Sequence, residues 1–194
     1  MKRNRMKQLV SFGLAVPGLL MVWDVVVGGT WPMDMLHPSG EMSIRLMVLA
    51  MLPGPLVEIM GTNRILRGWL MIRRNLGLAA FGYALLHLVF YLADMTPAGI
   101  INELGLPGIL TGWLAFAVLL VPASISFNAA VLTLGRRWKS VQRLVYLAFA
   151  LAIAHWLLLG WSVLPALVHA APLILVWIGR GWKRHQIRKE TPTP

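Results

Sequence analysis

Six long apolar stretches limit what this chain can fold into more than any other feature of its sequence. They cover residues 8–28, 42–60, 75–94, 108–132, 141–161 and 163–180, and are joined by short loops. A helix needs about 20 apolar residues to cross a bilayer. Of the 194 residues, 58% are apolar and 13% charged, so lipid must be the solvent for much of the surface. We predict an all-α membrane bundle of six transmembrane helices, one domain over residues 1–194, and exclude soluble enzymes and disordered tails.

The basic residues predict the orientation of this bundle. Of the 18 lysines and arginines, 17 lie before the first stretch, after the sixth, or in the second and fourth loops. The other three loops contain no lysine or arginine, and two of them contain acidic residues. Because basic loops stay in the cytoplasm, we expect both termini to be cytoplasmic. The net charge of +11 then reflects topology and contact with lipid headgroups, and not nucleic-acid binding.

Two histidines lie deep inside apolar stretches. Counting helical rise from the cytoplasmic flanks places His87 about 20 Å along the third stretch and His155 about 22 Å along the fifth. Both imidazoles thus reach one depth in the outer half of the membrane. The chain has no cysteine, so thiolate ligation is excluded. Two imidazoles at one depth suit the two faces of a b-type haem. The alternative is that each histidine only hydrogen-bonds a neighbouring helix.

Small residues precede both histidines. They allow a flat cofactor to approach the helix backbone, and they equally allow close packing of helices. The residues in question are Gly77, Ala79, Ala80, Gly82, Ala84, Ala148, Ala150, Ala152 and Ala154.

Four segments of the chain resemble the MsrQ (YedZ) family of the ferric-reductase-like transmembrane group. The similarity covers about residues 8–184 in order and spacing. The segments are RRNLGL at 73–78 running to Leu86-His87-Leu88, HPSG at 37–40 followed by Arg45, LGRRW at 134–138, and RLVYL at 143–147 ending at Ala154-His155-Trp156.

This resemblance implies a function. Family members are haem-binding subunits of a periplasmic methionine sulfoxide reductase system in the bacterial inner membrane. They take electrons from the quinone pool or a cytoplasmic flavin donor and pass them through haem b, with FMN as a further cofactor. The acceptor is the molybdopterin enzyme MsrP. By this resemblance the chain is an electron-transfer subunit rather than the catalytic subunit, and His87 and His155 match the family's haem-ligand positions.

One position departs from the family pattern. Members often carry another histidine 13 residues before the ligand of the fifth span, where this chain has Gln142. Glutamine is a poor iron ligand, so we expect one haem rather than two. Arginines surround this inner region and suit an anionic group such as a flavin phosphate. The alternative is that they only set topology. They are Arg73, Arg74, Arg136 and Arg137.

Three residues near the outer surface are further candidates for cofactor binding. Arg45 is the only basic residue outside the cytoplasmic set, and it either snorkels to the surface or pairs with a haem propionate. His37 and His169 are candidates for the same role.

Two other functions stay open at this point. One is a ferric-reductase-like cytochrome b that serves a different acceptor. The other is a small transporter or assembly factor without haem. A b-type Soret band in the purified protein separates the cytochromes from the haem-free alternative.

Overall fold

A computed structural model describes residues 2–190, with side chains described for residues 5–189. This part of the chain is helical, contains no strand, and has six helical segments long and apolar enough to cross a membrane. The prediction of an all-α, multi-pass membrane protein is therefore confirmed. The helices are α1 (Lys2–Val26), α2 (Leu36–Met51), α3 (Pro53–Met60), α4 (Arg64–Asp94), α5 (Pro97–Glu103), α6 (Pro107–Ser124), α7 (Asn128–Leu134), α8 (Arg136–Gln142), α9 (Leu144–Leu158) and α10 (Val163–Glu190).

The membrane-length segments differ from the predicted stretches mainly at their ends. The second begins ten residues early, at Pro32, because a 3-10 turn at Pro32–Met35 leads into α2. The fourth ends at Ser124 instead of residue 132, and α7 follows as a separate short helix. The sixth helix continues past residue 180, since its charged last turns keep helical geometry beyond the apolar part. We call the end of the bundle with residues 27–35, 95–106 and 159–162 the outer end, after the orientation predicted from charge.

Prolines interrupt the second segment between α2 and α3. Pro53 has no N–H, so the carbonyl of Leu49 loses its usual partner one turn later. The indole N–H of Trp69 on α4 donates to that carbonyl at 2.8 Å. In a bilayer, a freed backbone group needs such a partner from a neighbouring helix. The bond thereby ties the break in one span to the next span.

A similar arrangement attaches α1 to the bundle. Pro17 lies inside this helix, and the hydroxyl of Tyr83 on α4 bridges the backbone beside it. This hydroxyl accepts from the N–H of Gly18 at 2.9 Å and donates to the carbonyl of Leu14 at 2.9 Å. The Asn75 side chain of α4 also donates to Ser11 at 2.6 Å. Polar contacts therefore help to dock α1, which also packs Leu14 and Met21 against the core but leaves most of its residues exposed.

The core is built from two antiparallel helix pairs. The helix α2 packs along α4, and α6 packs along α9. Within the first pair the Ser43 hydroxyl donates to the carbonyl of Ala80 at 2.9 Å, which satisfies a buried hydroxyl. The helix α10 closes one side, with Leu173 fully buried. A cavity lies between the two pairs.

Candidate cofactor site

The cavity between the helix pairs is apolar and lies toward the outer end. The space that protein atoms leave free there measures about 1170 Å³ including its open mouth. His87 reaches the cavity from α4 and His155 from α9. Of the small residues expected beside the histidines, Ala84, Ala148 and Ala152 line it.

Backbone carbonyls determine which nitrogen of each imidazole carries the proton. His87 Nδ1 lies 2.8 Å from the carbonyl oxygen of Leu36, and His155 Nδ1 lies 2.7 Å from that of Gly108. A carbonyl only accepts, so Nδ1 must be the donor in both rings. Each Nε2 then keeps its lone pair, and no described protein atom hydrogen-bonds it. Metal-binding histidines have this arrangement, with the second nitrogen donating to a carbonyl.

Two glycines allow the rings to approach the facing helices. A Cβ built on Gly40 of α2 would lie 3.1 Å from His87 Nδ1, and one on Gly112 of α6 would lie 2.7 Å from His155 Nδ1. The second distance is shorter than real Cβ contacts allow. Any larger residue at these positions would push the imidazoles away from the carbonyls that orient them.

The spacing of the two rings suits a metal ion between them. Their centres are 6.2 Å apart and their planes meet at 88°. An imidazole nitrogen binds a first-row metal at about 2 Å, and the nitrogen lies about 1 Å from the ring centre, so two such ligands place their ring centres about 6 Å apart. The donor set of two neutral imidazoles in an apolar cavity therefore fits haem iron.

The two helix pairs build their halves of the site in the same way. In each pair, a carbonyl in the first turn of one helix accepts from a histidine of its partner, and a glycine four residues later faces the same ring. Leu36 and Gly40 do this for His87, and Gly108 and Gly112 do it for His155. Sequence reasoning missed these four residues, because carbonyls and glycines carry no chemical signature. The one signal of these residues in the sequence was a glycine near the start of each span that comes directly before a span with a histidine.

A polar cluster stands at the outer end of the cavity, and Glu41 is its centre. The guanidinium of Arg45 donates to Glu41 at 2.6 Å and to His169 Nε2 at 2.9 Å. Glu41 also lies 3.2 Å from His169 Nε2 and 4.0 Å from His37 Nδ1. The structure thus brings together all three outer candidates around a carboxylate that the sequence had placed only in an acidic loop. The sequence carried one signal of this cluster: His37, Glu41 and Arg45 are spaced four residues apart, which places them on one face of a helix.

Aromatic rings wall the same end of the cavity. His37 contacts Trp156 and Trp161, with ring centres 5.3 and 4.7 Å apart, and Trp156 also packs against His169. Within residues 5–189, the indole nitrogen of Trp156 is the only buried side-chain nitrogen or oxygen without a hydrogen-bond partner. A buried donor of this kind calls for an acceptor supplied by a ligand or water.

The four inner arginines are not joined to one another in the described part of the chain. Arg74 donates to the side chain of Asn128 at 2.7 Å, and Arg73 lies near Gly54 of α3. Arg136 and Arg137 are exposed in the first turn of α8. Within residues 5–189, no hydrogen bond or ion pair joins Arg73 or Arg74 to Arg136 or Arg137, so a flavin phosphate site there stays a prediction.

Gln142 has a structural partner. Its side-chain amide donates to the carbonyl of Pro122 at 2.9 Å and to the Ser126 hydroxyl at 3.3 Å. Both partners lie at the inner end of α6, where carbonyls lack helical partners. Gln142 therefore closes the end of a helix in the position where the family pattern has a histidine.

Comparisons with known proteins agree with this geometry. The family described as "Ferric reductase like transmembrane component" matches residues 39–153, which include His87 and both facing glycines and end two residues before His155. The chain is 32% identical over 168 residues to a protein-methionine-sulfoxide reductase heme-binding subunit MsrQ from Cronobacter sakazakii, covering 80% of this chain and 78% of that protein. It is 31% identical over 169 residues to an MsrQ from Brucella ovis, covering 80% and 74%.

The matched region extends over most of both helix pairs. Identity of this level over most of both chains, together with the family match, is sufficient to assign the family. The chain is a member of the MsrQ family of ferric-reductase-like transmembrane proteins.

Proposed function

We propose that this chain is the haem-binding electron-transfer subunit of a methionine sulfoxide reductase system. The observation that carries the proposal is the pair of facing imidazoles, His87 and His155, each with Nδ1 committed to a carbonyl and Nε2 available. Two relatives, which are 31–32% identical to this chain over the aligned residues, are named heme-binding subunits of that system.

His87 and His155 would hold one haem b as its axial ligands, and the bound haem supplies one-electron redox chemistry. The protein's own contribution is to orient the two ligands and to exclude water. The carbonyls of Leu36 and Gly108 hold Nδ1 of each imidazole, which leaves Nε2 as the nitrogen available to a metal. Apolar walls surround them, so the ligands lie in a medium of low dielectric.

The outer polar cluster would receive the anionic edge of the cofactor. His37 and Trp156 line the cavity, and the indole N–H of Trp156 has no protein acceptor. Arg45 stands behind Glu41, which also lines the cavity, and balances its charge. Propionate groups at this end would thus meet two nearby donors, beside a carboxylate whose charge the guanidinium offsets.

The route of the electrons is part of the same proposal. The donor would be the quinone pool or a cytoplasmic flavin protein, with FMN held near the inner arginines. The acceptor would be periplasmic MsrP, at the outer end where the cavity lies. Both termini would be cytoplasmic in a bacterial inner membrane, as the 17 basic residues on one side indicate.

Single alanine variants of the histidines test this function. His87→Ala or His155→Ala removes one axial ligand, so we expect the purified variant to lose haem or to become high-spin. His185→Ala, in the exposed last turns of α10, should keep the spectrum of the parent protein. The measurement is Soret intensity and spin state in detergent, at matched protein amounts.

The same preparations test the acceptor. Reduced parent protein should be reoxidised when MsrP and methionine sulfoxide are both present, and neither alanine variant should support this. An unchanged low-spin spectrum in either variant would refute the ligand assignment. Normal haem without reoxidation by MsrP would favour a ferric-reductase-like cytochrome with another acceptor, and a parent protein without haem would favour the transporter or assembly factor.

A further inference from the structure

We infer that this protein holds its two axial imidazoles with perpendicular planes, and that Gly112 and Gly40 are the positioning residues that maintain this angle. The inference rests on the proposed function, because it requires a haem between the rings. It goes further by assigning an electronic property of the site to two backbone positions. The planes of His87 and His155 meet at 88°.

Each ring is fixed at two points, which prevents rotation about its bond to Cβ. One point is the hydrogen bond from Nδ1 to a carbonyl in the first turn of the facing helix, at 2.8 Å for His87 and 2.7 Å for His155. The other is the glycine one turn later on that helix, against which the same ring edge packs. Turning either ring toward its partner would break the first contact or overlap the second.

The two glycines differ in how much room they leave. An added Cβ at Gly112 would lie 2.7 Å from both Nδ1 and Cε1 of His155, so the ring would have to move. At Gly40 the corresponding distances to His87 are 3.1 and 3.2 Å, which a shift of a few tenths of an ångström would relieve. Alanine at 112 should therefore disturb the ring angle more than alanine at 40.

The angle between axial imidazoles has a spectroscopic consequence. In low-spin ferric haem, parallel ligand planes split the iron orbitals that share the unpaired electron, and electron paramagnetic resonance (EPR) then shows three well-separated features. Perpendicular planes leave those orbitals nearly equal in energy. The spectrum then shows one strongly anisotropic feature at large g.

EPR of the oxidised, haem-loaded protein therefore tests the inference. We expect the large-g feature in the parent protein. Gly112→Ala should move that feature or convert it to the three-feature form, and Gly40→Ala should produce a smaller change in the same direction. Gly82→Ala is the matched control, because Gly82 lies on the same helix as His87 and an added Cβ meets nothing within 4 Å.

The outcomes separate this inference from the function on which it rests. A parent protein without haem would refute the proposed function. A parent protein with low-spin haem and three well-separated features would refute the perpendicular planes alone. If the Gly112→Ala protein does not accumulate, the spectrum of Gly40→Ala becomes the test. The positioning role is refuted if Gly112→Ala gives the spectrum of the parent protein. It is also refuted if Gly40→Ala does so when it is the only variant that can be purified.

Discussion

Gln142 stands where the sequence resemblance leads us to expect a histidine, and its side chain has a role in the fold. Its amide donates to the Pro122 carbonyl and to Ser126, at the end of α6 where helical partners run out. An amide suits this place because it supplies the donor that the carbonyl needs. The residue thus stabilises the inner end of the second helix pair.

Replacing Gln142 distinguishes a role in stabilising the fold from a role in binding a cofactor. Gln142→Leu should keep the haem content of the parent protein and lower its free energy of unfolding by about 1 kcal/mol, because the Pro122 carbonyl and the Ser126 hydroxyl both lose the amide donor, although the carbonyl keeps its bond from Ser126. Gln186→Leu, on the exposed part of α10, should change neither quantity. Haem content and thermal unfolding in detergent are the measurements. A loss of haem in Gln142→Leu, at unchanged stability, would make Gln142 part of a cofactor site.

At the scale of an element, α1 depends on a few polar contacts for its place in the bundle. Most of its surface is exposed, so apolar packing does little to position it in lipid. Tyr83 bridges its backbone beside Pro17, and Asn75 donates to Ser11. Interhelical hydrogen bonds are well suited to this task, because lipid offers no competing partner.

Removing one hydroxyl should loosen this helix. Tyr83→Phe keeps the ring and removes both bonds to α1, which should cost about 1 kcal/mol. Tyr146→Phe is the control, because the Tyr146 hydroxyl makes no hydrogen bond among residues 5–189 and its ring contact with Trp177 survives. We expect a lower unfolding temperature and faster proteolysis near residue 28 in Tyr83→Phe only. Equal behaviour of the two variants would show that packing, not the hydroxyl, holds α1.

The whole molecule consists of two similar helix pairs around one cavity. Each pair contributes one histidine, one carbonyl and one glycine to that cavity. At the inner end, the corresponding positions are Gln142, which is bonded to α6, and Arg73, which cannot readily lose its proton. The described part of the chain therefore lacks an imidazole pair at the inner end of the bundle.

A haem count tests this arrangement. We expect about one haem b per chain, because one pair of imidazoles supplies the two axial bonds of one iron. The pyridine haemochrome assay, calibrated by amino-acid analysis, gives the ratio, and the double variant His87→Ala, His155→Ala should give none. Two haems per chain would contradict the role given to Gln142 and would require ligands outside those described.

The sequence by itself determined the features that depend on counting along the chain. The lengths of the apolar stretches predicted six spans, because a helix needs about 20 apolar residues to cross a bilayer. Helical rise placed His87 and His155 at one depth, and the structure brings their ring centres within 6.2 Å of each other. The charge of the loops predicted which ends of the helices face the cytoplasm. A topology assay with reporters fused to the loops can check this orientation. The ends of the spans were less accurate, since capping and proline effects decide where a helix stops.

Only the tertiary structure decided which groups act on the histidines. The carbonyls of Leu36 and Gly108 and the faces of Gly40 and Gly112 come from residues 43 to 51 positions away from the histidines they orient. Glu41 likewise meets His169 across the bundle. Such contacts depend on how each helix is rotated and which helix it faces. Local periodicity does not contain that information, because a six-helix bundle in lipid is apolar on nearly every side.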